Sequence, residues 1–561
     1  MKLKHKYIAN IAVVVFLGIA GCQKNFLDTK IDTYATPATI ITDRATLYTF
    51  ADEFYTSLQY GYSSLDGNLF AAASDETQQT VSGGNALYFN QGVLSPTITP
   101  DNQYKTLYEG IRAANFYLDY SKGWRAFIAM NRDTVADVTN YNKDLLFIPW
   151  FRAEAHIARA FYYFELSKRY GGVPLITQTL DQATTPYVAK SSYDDITNFI
   201  VSEIDAYKDS LQLNWKTSSY TDQNGRFSKG SALALKARVL LYAASPLHNA
   251  SNDVSKWQAA AAAAKDLITT SGLNYALYTG GYGNYFIGST SLGSNETIFA
   301  VRRSAGNGLE TANYPIATPG GNSGLAPSHN LVADYEYTGT ADPTNIYANR
   351  DPRLSASVVT NNSTWNGRTI VESLGGTDDM TMSNTSKTGY YLKKFLTDNL
   401  NLINGGTAQH NWIVFRYAEI LLNYAEAMNE AYGPDVIPAG YPYSARQALK
   451  LVRDRASTSL PLVTVTAVAD FRTAVKHERR IELAFEDHRY WDLLRWKDAE
   501  TVLNQPIKGV TVTKNPNGTY NYTVVNSVAA RKFNTPAMYY YPFPQSEIIN
   551  SNGVLKQNSG Y

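Results

Sequence analysis

Cysteine is almost absent from this chain of 561 residues: Cys22 is the only one. No intramolecular disulfide can form, and a chain of this length needs none, because it can bury an ample apolar core. Long apolar runs are missing as well. Beyond residue 21 no stretch approaches the roughly 18 uninterrupted apolar residues of a membrane-spanning helix, and Ala259 to Ala264 is only a helix-favouring alanine run. There is no excess of positive charge, since Lys and Arg number 50 against 49 Asp and Glu, which excludes nucleic acid as a partner. Catalytic and metal motifs are incomplete. His477-Glu478-Arg479-Arg480 begins like a zinc-protease helix, but Ile481 stands where the second histidine is needed. Gly281 to Phe286 lacks the third glycine of a dinucleotide loop, no Gly-x-Ser-x-Gly elbow occurs, and Asp222 to Gly225 reads as a turn lacking the further ligands of a calcium loop. No metal, cofactor or catalytic residue is expected.

The position of the single cysteine is itself informative. Lys2, Lys4 and Lys6 precede an apolar run from Ile11 to Gly21, a pattern that reads as a secretory signal, too short to span a bilayer. The junction Ile19-Ala20-Gly21-Cys22 resembles a bacterial lipobox, in which the thiol is lipidated and the chain is cut just before it. Residues 1–21 are then the signal peptide and Cys22 the lipidated first residue of the mature chain. Cleavage leaves 47 basic against 49 acidic residues. Two or more acyl chains on Cys22 would hold the protein stably on a membrane without spanning it.

The rest of the chain is rich in tyrosine, 42 against 22 phenylalanines, and patterned mainly for helices. In Phe147 to Tyr170 the residues Trp150, Ala153, Ile157, Ala160, Phe161 and Phe164 fall on one face, and Gly171-Gly172 followed by Pro174 supplies a stop. The same spacing predicts helices over Lys229 to Leu247 and Ile413 to Ala431, with further ones over Arg44 to Tyr60, Gln103 to Tyr120, Tyr193 to Leu211, Ser255 to Thr270, Ser444 to Ala456 and Asp470 to Phe485. Helices of this length in succession suggest stacked helical hairpins. His477, Glu478, Arg479, Arg480, Glu482 and Arg489 read as a salt-bridged helix surface. Between the helical segments, about 275–406 is rich in Gly, Ser, Asn, Thr and aromatics, with few short strand-like runs such as Glu296 to Val301. It is too aromatic for disorder and reads as a loop-rich, functional face.

Five blocks, in this order, resemble the SusD/RagB family of Bacteroidetes outer-membrane lipoproteins: Phe151 to Leu175, Asn349 to Leu354, Arg416 to Ala427, Glu478 to Trp496, and the ending Tyr541 to Ile548 with Gln557 to Tyr561. Phe26-Leu27-Asp28 is similar to the family's mature start. The resemblance implies a mainly α fold: a tetratricopeptide-like helical hairpin scaffold, about 40–270 and 410–500, carrying a loop-rich variable region, about 275–406, with a C-terminal RagB/SusD segment over about 330–561, all in one domain over 22–561. It also implies a surface-exposed lipoprotein that binds a glycan or other nutrient and delivers it to a SusC-like TonB-dependent outer-membrane transporter. The alternatives are a glycan-active hydrolase and a helical-repeat protein-interaction scaffold.

Sugars stack their C–H faces on aromatic rings and need amide or carboxylate partners for their hydroxyls. Segments combining these groups are Ser74-Asp75-Glu76, similar to an acidic ligand-contacting loop of the family, then Tyr88-Phe89-Asn90, Asp101-Asn102-Gln103-Tyr104, and Tyr282, Tyr285, Tyr314 and Trp365 in the variable region. The ligand-binding candidates are Asp75, Tyr88, Asn90, Asn102, Tyr104, Tyr314 and Trp365.

Overall fold

The computed structural model describes residues 40–81, 83–180 and 187–561. Cys22, the apolar run before it and Phe26-Leu27-Asp28 lie outside the described residues. Ten helices carry the scaffold: α1 (Arg44–Glu53), α2 (Tyr104–Tyr120), α3 (Val138–Tyr170), α4 (Tyr193–Tyr207), α5 (Lys229–Ala244), α6 (Val254–Thr269), α7 (Tyr417–Tyr432), α8 (Ala445–Arg453), α9 (Val468–Glu482) and α10 (Arg489–Trp496). Neighbours in sequence are neighbours in space. Helix α2 packs on α3, α3 on α4, α4 on α5 and α5 on α6; α6 then packs on α7, which packs on α8 and α9.

The boundaries follow local chemistry. Ser192, Ser228 and Ser444 each close a capping box on α4, α5 and α8, satisfying amides that the first turn leaves free. Helix α3 ends at Gly171, whose φ of 72° a side chain would disfavour. It begins at Val138, ahead of the expected Phe147, and holds Pro149 within it. Tyr62, Phe161, Phe164, Leu421 and Trp491 belong to one continuous apolar core.

Six strands matter for the layout: β1 (Thr77–Gln79), β2 (Thr297–Arg302), β3 (Leu325–Pro327), β4 (Asn411–Arg416), β5 (Ile507–Lys514) and β6 (Tyr520–Ala529). They pair antiparallel as β1 with β3, β2 with β4 and β5 with β6. The expected helix from Ile413 is corrected here. Asn411 to Arg416 is a strand, and the helix starts only at Tyr417, because a run of β-branched and aromatic residues buried on both faces suits a strand. The ribbon β2–β4 is where the chain leaves the scaffold for the loop-rich region and returns to it.

A second correction concerns the charged residues of α9. Glu478, Arg479 and Glu482 are fully buried, so they form an interior join and not a helix surface. Arg353 reaches Asp351, Glu478 and Glu482 at 2.7, 2.5 and 2.9 Å. Arg416 reaches Glu296, Glu482 and Glu486 at 2.8, 2.7 and 2.7 Å, and Arg455 bridges Glu296 and Glu482. Burial alone would raise the Glu482 carboxyl, but Arg455, Arg416 and Arg353 hold it well below the usual carboxylate range. Loop-rich Arg353 is thus tied by charge to helix α9, and Glu296 to Arg416 at the end of β4 and to Arg455 beyond α8.

Candidate binding cleft

The structure separates the sequence-derived residues into those committed to interior partners and those near solvent or a cleft. Asp75 is buried between Arg480 and Arg489, each at 2.8 Å. Burial opposes its ionisation, yet the two guanidinium groups hold its carboxyl far below the usual range. The neighbouring Glu76 accepts from the Phe485 amide at 3.1 Å and, without a guanidinium on it, is pushed by burial up to about 7. Asn90 is buried, donating to the Ala72 carbonyl at 3.1 Å and accepting from Arg531. Tyr314 is buried, its hydroxyl on the Thr397 carbonyl and its ring meeting Trp365 edge-on at 6.2 Å. Tyr282 and Tyr285 are also interior, bonded to Glu482 O and Thr297 Oγ1.

The remaining candidates lie apart from one another. Tyr88 is half-buried against the core and Asn102 is exposed. Asn102 Oδ1 accepts from the Tyr104 amide and from the Tyr170 hydroxyl. Tyr104, packed edge-on against Tyr170 at 5.3 Å, lines a groove of about 410 Å3 with Tyr108, Ile176 and Leu555. Trp365 lines a different cleft of about 470 Å3 with Lys393, Lys394 and Asp398. Tyr314 and Trp365 are brought together, as are Asn102 and Tyr104; Asp75, Tyr88 and Asn90 join neither pair.

A third cleft, of about 580 Å3, has the wall chemistry a sugar needs and is built from residues that sequence reasoning missed. Asp66, Asn68, Gln79, Asn322 and Asn384 supply polar groups, and Val81, Ala312 and Ile316 supply apolar surface. Its geometry is set locally. The turn Leu65 to Asn68 closes with paired backbone bonds of 3.0 and 2.8 Å, and Asp66 and Gly67 both adopt left-handed φ, at 52° and 72°. Asp66 then faces three donors: Asn85 N at 2.7 Å, Asn85 Nδ2 at 2.6 Å and Gln79 Nε2 at 2.8 Å. Asn68 exchanges both amide bonds with Asn313, at 2.9 and 3.0 Å, anchoring the cleft to the segment before β3. Gln79 is placed by the β1–β3 ladder, opposite Leu325. Its Oε1 has no donor among the described residues and packs over Gly84, where a Cβ would come within 2.3 Å of it. The only sequence signal for these positions is turn chemistry, Asp66-Gly67-Asn68 and Gly83-Gly84-Asn85.

Among the described residues no group of three or more His, Cys, Asp and Glu side chains is arranged to hold a metal ion. Likewise, no described helix is long and apolar enough to cross a membrane.

Comparison with known proteins gives one consistent answer. Residues 293–561 match the SusD family, and residues 25–241 match a family described as starch-binding and associating with the outer membrane. A SusD-like protein of Formosa agariphila is 27% identical over 419 residues, covering 70% of this chain and 73% of its own. A second from the same bacterium is 23% identical over 454 residues, covering 78% and 79%. Among solved structures, a SusD-like protein from Bacteroides fragilis superposes with a TM-score of 0.75 at 24% identity, covering 93% of this chain and 98% of that one. A SusD-like carbohydrate-binding protein from the same species gives 0.73 at 24% identity, covering 92% and 99%. A laminarin-binding SusD-like protein gives 0.64 at 23%, covering 93% and 100%. At these identities the structural likeness is one of fold.

Proposed function

This chain belongs to the SusD/RagB family, and from that premise we propose that it is a lipid-anchored, surface-exposed protein of the outer membrane that binds a glycan and delivers it to a SusC-like TonB-dependent transporter. The observation that carries the binding half is the cleft of about 580 Å3 walled by Asp66, Asn68, Gln79, Asn322 and Asn384. Primary amides donate and accept at once, which matches sugar hydroxyls, and Val81 and Ile316 offer surface to sugar C–H faces.

Binding without turnover is favoured over hydrolysis. A retaining glycosidase needs two carboxyl groups about 5 Å apart, whereas among the described residues the cleft wall has one carboxyl, that of Asp66, and it is held by amide donors. Tyr88, Asn102, Tyr104 and Trp365 lie outside this cleft and would contact only a ligand that extends beyond it, while Asp75, Asn90 and Tyr314 serve interior partners. The lipid on Cys22 supplies the anchor.

Gln79→Ala and Asn322→Ala should each weaken glycan binding about tenfold and leave the melting temperature and co-purification of a transporter barrel unchanged. Parental affinity in both variants would remove this cleft as the site. Cys22→Ser should release the protein from membranes in fractionation, and detergent-requiring association of that variant would remove the anchor.

A further inference from the structure

We infer that the cleft selects uncharged glycans and excludes those carrying carboxylate or sulfate groups, an inference that rests on the glycan-binding reading above. Three features of the wall carry it. Among the described residues Asp66 is the only ionisable side chain in the lining, and neither lysine nor arginine contributes to it. The donors on Asp66 are neutral amides, so its carboxyl group is oriented by hydrogen bonds with no cation opposite it among the described residues of the wall. The remaining polar groups, on Asn68, Gln79, Asn322 and Asn384, are primary amides.

An acidic sugar entering this space would bring acceptor oxygens and negative charge towards a carboxylate that already repels them, with no guanidinium or ammonium to compensate. Recognition of carboxylate and sulfate is ordinarily built from arginine and lysine, and juxtaposed like charges discriminate against the wrong partner. A neutral sugar meets no such opposition. Its hydroxyls can donate to the amide oxygens and to Asp66 and accept from the amide nitrogens. The cleft at Trp365 differs in sign, since it holds Lys393, with its Nζ 5.4 Å from the Trp365 ring, and Lys394. That contrast supplies the competing outcome.

The test uses the full chain in detergent and affinity electrophoresis against neutral probes (laminarin, starch, xylan and galactomannan) and acidic probes (alginate and carrageenan), with Val81→Arg, which installs a cation in the exposed wall, and Lys393→Met, which removes one from the other cleft. The parent should be retarded by at least one neutral glycan and by neither acidic one, and Val81→Arg should gain about tenfold or more in affinity for an acidic glycan. Preference of the parent for alginate or carrageenan would overturn the inference, and its loss in Lys393→Met would move the site to the Trp365 cleft. A parent restricted to neutral glycans whose Val81→Arg variant gains nothing would also overturn it, because selection would then lie elsewhere. Failure of parent and variants to bind any of the probes would count instead against the glycan-binding reading itself.

Discussion

The helical scaffold and the loop-rich region satisfy their polar groups by different means. In the scaffold, backbone bonds are internal to helices, and the buried charges are spent on long-range joins, such as Arg238 with Glu419 and Arg495 with Glu426, at 2.6 and 2.5 Å. In the loop-rich region the satisfaction is local. Asn349, Asn362, Asn366, Asn384 and Asn399 take left-handed φ, a conformation asparagine tolerates because its side chain substitutes for backbone partners; Asp379 caps its own turn at the Thr381 amide, and Asp378 accepts from the Val371 amide and pairs with Arg368. A structure held by many short bonds can change its sequence piecewise; one held by buried ion pairs cannot. The seam between the two is the network around Arg416 and Glu482.

Breaking that seam should have the largest effect. Arg416→Ala leaves the buried cluster of Glu296, Glu482 and Glu486 one positive charge short, with Arg353, Arg455 and Lys394 still on it, and should cost about 3–5 kcal/mol, read as a lowered denaturation midpoint; parental stability would show that the two regions do not depend on this join. Within the scaffold alone, Leu421→Ala in the fully buried face of α7 should cost about 2–5 kcal/mol and leave glycan binding per folded molecule unchanged.

A pH profile sharpens the comparison further. Glu154 on α3 is pushed by burial from 4.5 up to about 7, despite its bonds to Arg226 and Tyr55. The folded state therefore holds its proton more tightly than the unfolded state does. The Glu154 contribution is fully present below 4.5 and is lost as pH rises through about 7. Glu154→Gln should stand progressively better relative to the parent as pH rises across that window in denaturant titrations; a pH-independent difference would contradict the assignment. The smallest effect is expected in the loops. Tyr314→Phe removes bonds to Thr397 O and from the Leu400 amide, at about 1–3 kcal/mol, and should speed hydrogen exchange around residues 397–400 without speeding it elsewhere.

Helices were legible because their apolar residues recur at the helical period over several turns, as in α3 and α7. The strand β4 was not, since Trp412-Ile-Val-Phe415 is a short apolar run that either period accommodates. The hairpin β5–β6 had a signal that could have revealed it, Asn517-Gly518 between alternating Val, Thr and Tyr. The site was harder to read. A tyrosine in a polar loop looks the same in sequence whether its ring meets solvent, as half-buried Tyr88 does in part, or is sealed inside, as Tyr314 is. Conversely, Asp66, Gln79 and Asn322 look like ordinary turn and strand residues until β1, β3 and the reciprocal Asn68–Asn313 pair gather them.

The ribbon β2–β4 makes the intervening stretch a cassette. Its two ends are hydrogen-bonded side by side, Arg302 opposite Asn411, so the scaffold meets one closed doorway whatever lies beyond it. Doubling the length of a flexible insert behind such a doorway costs only about 0.6 kcal/mol in closure entropy. A recombination event that exchanges the material between these strands has to preserve the partners that reach back to the frame, among them Arg353 for Glu478 and Glu482, Lys394 for Glu486, Asp334 for Arg480, Asn313 for Asn68 and strand β3 for β1. A lineage could acquire a new recognition face in one step while keeping the frame that presents it.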